Sequence, residues 1–441
     1  MSDWLITPGR RRVRRPRMLS PLREHLRDTF WFAPTLAMVV VGLVWWVTSW
    51  ADEAIVEALQ DAGEFGAVED LMGIADDVKT VVTTVSSAMM TFIGVVFSIS
   101  LVAVQMAAGQ LSPRVVRLFV RSRITKLTFA VFLATFLLSL LVLTSYDGVR
   151  DPRLVSTVPF LQAFLTLGLV ALSLLLFVVY VNSTLRMMRV GHVVDRVARE
   201  AFRGVHTLAY EDADNSGLGP ETGRVAHDGR AGVLRDVNIV RLVRIARRRG
   251  VVLRMVPRIG DFVVPGTTMF TVHGGPTPSR RHLRSCVFVG VERAFHQDLG
   301  FGLRVLADIA LRALSAAVND PTTAVQAIDR MVQFLAVVGR GPLDTLRHRD
   351  RGGAVRLVRP VPGWGELVDL AFTEIRGCAA GTPQVTRRLF AGFDDLLSLV
   401  PEERQEPLRR HRTLLGGSVE RTVPDAADRA FALHPDRQGI G

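Results

Sequence analysis

Four stretches of the chain stay free of charge for long enough to cross a bilayer. Residues 30–50 form the first, twenty-one in a row, and a hydrocarbon core of about 30 Å needs roughly 20 helical residues. Trp31, Trp45, Trp46 and Trp50 lie towards its ends, where interfacial aromatics sit. The run exceeds the ~7–15 apolar residues of a cleavable signal peptide, and no small-residue cleavage site follows it. Residues 80–113 are uncharged over 34 positions, which as one helix reaches about 51 Å at ~1.5 Å per residue. Residues 127–144 and 158–181 supply the third and fourth. The pattern predicts a polytopic α-helical membrane protein with four transmembrane helices, occupying 30–182.

Beyond residue 182 the period changes. Residues 185–205 continue as a basic helix, running along the membrane surface or stacked beneath the bundle. Residues 211–232, rich in Asp, Glu and Gly, read as a loop. A short helix at 239–246, a strand at 251–256, a turn at Gly260-Asp261 and a strand at 267–272 make a small β-containing unit within 233–273. From residue 297 the spacing is helical. Leu299, Leu303, Leu306, Ala310, Ala313 and Ala317 share one face. Asn319-Asp320-Pro321 ends that helix and starts another, with Asp320 as N-cap and Pro321 at the first position, where no amide is needed. Val325, Ile328, Val332 and Leu335 mark the buried face of the second helix. Amphipathic stretches follow at 364–378 and 385–400. Residues 183–400 therefore read as a mixed α/β, mainly helical C-terminal domain, and 401–441 as a charged, loosely ordered tail.

Charge orients the spans. The chain has 54 Lys and Arg against 42 Asp and Glu, a net charge of +12 over 441 residues. All but Lys79 and Lys126 of the basic residues are arginine, a bias typical of GC-rich bacterial genomes. The tail at 1–29 carries eight arginines, and the connection after the second span carries Arg114, Arg117, Arg121, Arg123 and Lys126. The connection after the first span holds nine acids against Lys79 alone. The positive-inside rule then places both termini, and the C-terminal domain, on the cytoplasmic side of the bacterial inner membrane. A nucleic-acid arm is another use for a basic tail. Beside a membrane span, topology and anionic lipid account for it, so the expected partner is the bilayer and not nucleic acid. Cys286 and Cys378 are too few for a disulfide framework, and on the cytoplasmic side both stay reduced.

The second span carries the chemistry. Asp77, Thr84, Thr91, Ser98, Gln105 and Ser112 recur every seven residues, and such a spacing drifts only about 20° per step, so they form one stripe. Ser87 and Gly94 flank it. Lipid tails cannot satisfy hydroxyls and amides, so the stripe must face protein or water. A pore lining built from copies of this helix is one reading. Helix–helix packing through small hydroxyl residues is the other. Thr84, Thr91, Ser98 and Gln105 are the candidate pore residues, with Gln110, Arg114, Arg117 and Arg121 at an inner mouth, although the arginines equally suit a solvated or lipid-facing surface. No ionisable residue lies inside any apolar run, which argues against a proton-driven carrier.

No catalytic constellation is visible. Asp308 has Arg304 and Arg312 four residues either side, the spacing of helix ion pairs. The ten histidines do not cluster, and no metal, nucleophile-elbow or phosphate-loop motif occurs. No catalytic residue, metal ligand or cofactor is expected. Arg293, Gln297, Asp298, Asn319 and Asp320 are the polar candidates of the C-terminal domain should it bind a ligand. The run from Gly260 to Gly266 has the turn chemistry of biotinyl and lipoyl carrier hairpins. Residues 231–275 contain no lysine to modify, which excludes the carrier role.

Three motifs in order resemble a known family. The first runs from Phe97-Ser98-Ile99-Ser100 through Gln105 to Gln110-Leu111-Ser112-Pro113-Arg114. Ile259-Gly260-Asp261-Phe262-Val263 to Gly266 is the second. The third begins at Gln297-Asp298, continues through Phe301-Gly302 and Asp308-Ile309-Ala310, and ends at Asn319-Asp320-Pro321-Thr322-Thr323-Ala324. Together they are similar to the bacterial predicted-membrane-protein family, domain of unknown function 2254, over about residues 20–400, with a departure at Ala316, where the family pattern has Pro. The resemblance implies a polytopic inner-membrane protein with a cytoplasmic C-terminal domain and brings no established activity. The expected function is a homo-oligomeric ion or small-solute channel lined by the second span, and the rival is a non-transporting membrane scaffold or sensor.

Overall fold

The computed structural model describes residues 29–110, 122–146, 151–205 and 218–440. They form two compact units that meet in sequence between Arg189 and Val190. The first holds four apolar helices, α1 (Phe32–Asp61), α2 (Phe65–Gln110), α3 (Arg123–Thr144) and α4 (Phe160–Met188), each long enough to cross a membrane. All four expected spans are present, but α1 and α2 overrun theirs. The acidic stretch expected as a loop is helical except for a turn around Gly63, which takes φ +75°. Glu and Ala favour helix, and the inner face of this extension is apolar. Val56, Val68 and Ala75 bury there against Val155 and Val158. The acids face outward, apart from Asp52.

The central helix of this bundle is α3, with α1 and α4 packed against it. Its Ala134, Leu138 and Val142 meet Val41 of α1 and Val82 of α2. Several polar groups inside the bundle bond to one another. The Thr135 and Ser173 hydroxyls lie 3.0 Å apart, and Gln162 Nε2 donates to Ser49 Oγ at 2.8 Å. Tyr180 donates to the Val96 carbonyl at 2.9 Å, and its hydroxyl lies 2.6 Å from that of Ser100. Such pairing holds helices together where no water can serve.

The second unit opens with α5 (Val190–Val205), split from α4 where Arg189 becomes extended. Then come β1 (Glu221–Ala226), β2 (Gly232–Val237), α6 (Ile239–Arg249), β3 (Val252–Met255), β4 (Phe262–Val263), β5 (Thr268–His273), the short α7 (Arg280–Arg284) and β6 (Val287–Gly290). A five-stranded sheet has the order β1-β5-β3-β8-β7, with β7 (Thr345–Arg349) and β8 (Val355–Pro360), and β4-β2-β6 form a three-stranded one. Neighbours are antiparallel except β3 and β8, where Leu253 pairs with Leu357 in parallel. Leu234, Ile239, Leu242, Leu253, Phe270 and Leu357 form the core of this β part. The helical part is α8 (Leu299–Ala313), α9 (Pro321–Val338), α10 (Trp364–Ala379), α11 (Pro383–Leu399), α12 (Glu406–Thr422) and α13 (Ala426–Leu433).

Three expectations fail here, each for a physical reason. Residues 221–226, read as loop, are β1, a charged and Gly-bearing edge strand held by its pairing with β5. The stretch 297–400, read as helical, contains β7 and β8. Their arginines hide the strand period, because Arg359 is itself buried (1% exposed) and bonds His348 at 3.2 Å. Residues 401–441, read as a loose tail, fold as α12 and α13. Leu408, His411, Leu415 and Val419 present one buried face to α10 and α11, and Arg404 donates to the carbonyls of Gly339 and Gly341 at 2.8 and 2.9 Å.

Candidate functional site

Helix α2 has 46 residues, about 69 Å at ~1.5 Å each, and two faces with different work. Val68, Ala75, Val82, Met89, Val96 and Ala103 recur every seven residues and are all nearly inaccessible, Ala103 the most open at 4%. That seam joins α2 to its own bundle. Thr84, Thr91, Ser98 and Gln105 keep the same step two residues further on, about 200° round the helix. All four are exposed, as are Asp77, Ser87 and Gly94. Among the described residues the stripe is therefore not part of the buried packing of the bundle. Thr84 donates its hydroxyl proton to the Thr80 carbonyl at 2.9 Å, and Ser87 does the same to Thr83 at 3.3 Å. Back-bonding lets a hydroxyl tolerate lipid. A glutamine amide has two N–H donors and two acceptor sites, more than one carbonyl a turn back can satisfy, so Gln105 calls for water or a second protein surface. Gln110 ends α2, and its side chain lies outside what is described. Arg114, Arg117 and Arg121 lie outside the described residues altogether.

The polar candidates of the second unit serve the fold. Asp298 caps α8, accepting from the Phe301 amide at 3.0 Å, and takes both prongs of Arg293 at 2.8 Å. Burial pushes its carboxyl above the usual range, while the Arg293 guanidinium and the Phe301 and Gly300 amides pull it back. Gly260, at φ +100°, leans so closely on this ion pair that a Cβ would strike both partners. Gln297 sits at φ +61° and straps β2, its Nε2 donating to the Val237 carbonyl at 3.0 Å and its Oε1 accepting from the Val237 amide at 3.4 Å. Asn319, at φ +46°, turns the chain, and Asp320 caps α9 through the Thr323 amide at 3.0 Å, as the sequence predicts. Arg293, Gln297 and Asp298 come together at one end of α8. Asn319 and Asp320 lie at the other, 15 helical residues away, about 22 Å. Among the described residues no three His, Cys, Asp or Glu side chains converge on a metal position.

One residue with a specific task escaped the sequence reading. Asp52 of α1, 1% exposed, accepts from the Leu161 amide at 3.0 Å and so caps α4 from a neighbouring helix. The residue in the N-cap place of α4 is Pro159, whose side chain offers no acceptor. No local signal announces this, because donor and acceptor are 109 residues apart.

The model of the family described as "Predicted membrane protein (DUF2254)" matches residues 27–395. Uncharacterised proteins of Mycobacterium tuberculosis and Mycobacterium bovis are each 27% identical over 432 residues, covering 93% of this chain and 80% of theirs. No solved structure matches the chain. With four membrane-length helices and a family match over most of its length, the chain belongs to the predicted-membrane-protein family known as domain of unknown function 2254.

Proposed function

We propose that the protein is a homo-oligomeric ion or small-solute channel of the bacterial inner membrane, with α2 of each copy lining the path. The observation that carries this is the outward aim of Thr84, Thr91, Ser98 and Gln105. Within one bundle the Thr135, Ser173, Gln162, Ser49 and Tyr180 side chains are turned to one another or to a backbone carbonyl, whereas the stripe on α2 points away from them, which favours a path between copies. The arginines of the tail and of the connection after α2 favour cytoplasmic termini, with the second unit as an assembly or gating platform. The bilayer and further copies of the chain are the partners.

Single-channel recording on purified, reconstituted protein tests the reading. Ser98→Leu places a bulky apolar group on the stripe without touching the buried seam, and conductance should fall at least tenfold, since hydrophobic constrictions close pores by dewetting. Silence from the unmodified protein, or an unchanged conductance in Ser98→Leu, refutes it. The scaffold or sensor alternative named Arg293, Asp298 and Asp320; the two carboxylates serve as helix caps and Arg293 pairs with Asp298, so its support is weaker than that of the stripe.

A further inference from the structure

In the β part of the second unit, β1 is the end strand of one sheet and β6 the end strand of the other. A cavity of about 360 Å³ opens beside both, a size at the lower end of the ~300–1,000 Å³ of small-molecule sites. Its floor is apolar, with Val225, Met269, Phe270 and Leu283 all buried beneath it. Its rim is cationic. Arg230 from the β1–β2 connection and Arg280 and Arg284 from α7 all line it, and all three are exposed. One carboxylate, Asp228, stands among them, 3.5 Å from Arg284. Three guanidinium groups against one acid leave a net positive mouth over a greasy base.

We propose that this cavity binds a small amphiphile, with a carboxylate or phosphate head held by Arg230, Arg280 and Arg284 and an apolar body lying on Met269, Phe270 and Leu283. Guanidinium pairs with such heads through short, charge-assisted bonds, and the floor rewards an acyl or aromatic body by removing it from water. A fully water-soluble anion gains nothing from that floor. A neutral amphiphile gains nothing from that rim.

The experiment uses the full chain in phosphatidylcholine nanodiscs and a photoactivatable diazirine decanoic acid, with labelled peptides read by mass spectrometry. Label is expected on residues 225–231 and 283–291. Decanoate and decyl phosphate should displace it, whereas decanol and inorganic phosphate at the same concentration should not. The double substitution Arg230→Gln, Arg280→Gln, on exposed side chains that the fold does not need, should cut this labelling at least tenfold while leaving any labelling of α1–α4 unchanged. Nanodiscs containing phosphatidylglycerol separate the sources, since displacement there assigns a bilayer lipid and persistence assigns a free amphiphile. No label in the cavity overturns the proposal. So does displacement by decanol or by inorganic phosphate as effective as that by decyl phosphate, or insensitivity to the double substitution.

Discussion

Replacing Asp52 tests whether α1 sets the start of α4. Its Oδ1 is the acceptor for the Leu161 amide near the first turn of α4, and the side chain is buried. Asp52→Ala removes a cap, which costs about 0.5–2 kcal/mol. It also strands a donor in a place water does not reach, at about 1–3 kcal/mol. The two overlap, so the expected loss is about 1–3 kcal/mol. Asp52→Asn keeps an oxygen in place for the Leu161 amide and forfeits the interaction of charge with the helix end, about 0.3–1 kcal/mol. The assay is equilibrium unfolding in mixed micelles by added dodecyl sulfate, followed by tryptophan fluorescence. Trp45, Trp46 and Trp50 sit within two turns of the site. The Ala variant should lose at least twice what the Asn variant loses. If both stay within about 0.5 kcal/mol of the unmodified protein, the size of an ordinary surface substitution, the cap is not what fixes α4.

Other outcomes follow from the second unit. His411 is buried between Phe372 and Phe393, with Nε2 2.8 Å from Asp369 Oδ1, and burial holds its pKa below the usual 6.5 despite that carboxylate. The unfolded chain therefore binds the proton more readily. Its contribution to stability is present above the unfolded value and is lost as the pH falls through the lower folded one. Hydrogen exchange in α12 at pH 7.5 and 5.5 should show protection dropping at the lower pH, and His411→Phe should flatten the response. Gly302 of α8 lies against Ala201 of α5 so closely that a Cβ would overlap it. Gly302→Ala should cost about 1–3 kcal/mol of thermal stability by overpacking. Ala201→Gly in the same chain should recover most of the loss in a double-mutant cycle.

What could be read from the sequence follows how local each signal is. The spans were legible because membrane thickness sets a length that an uncharged run either meets or fails. Their ends were not, since the acids that close the apolar run at Asp52 and Glu53 continue the helix. The N-cap Asp320 with Pro321 behind it was legible, being a four-residue signal that the structure reproduces. Asp298, offered as a ligand candidate, is a cap of the same kind. Its partner Arg293 and the neighbouring Gly260 come from separate elements. The sheet was mostly hidden, because β8 reaches β3 across more than a hundred residues and both β7 and β8 carry arginines where strands ordinarily show apolar alternation. On α2 the seven-residue stripe was plain. That it faces away from the chain's own bundle required the buried seam at Val68 to Ala103 to be located first.

The most direct measurement places a nitroxide at residue 98 or 105 of α2, with Cys286 and Cys378 replaced, in protein reconstituted into lipid vesicles. Collision with a water-soluble nickel chelate is compared with collision with oxygen. Leu175 and Val178 of α4, 63% and 65% exposed, serve as lipid-facing references. The channel account predicts chelate-dominated collision at both α2 positions and oxygen-dominated collision at the two references. Oxygen-dominated collision at 98 and 105, matching the references, would place the stripe in acyl chains and contradict it.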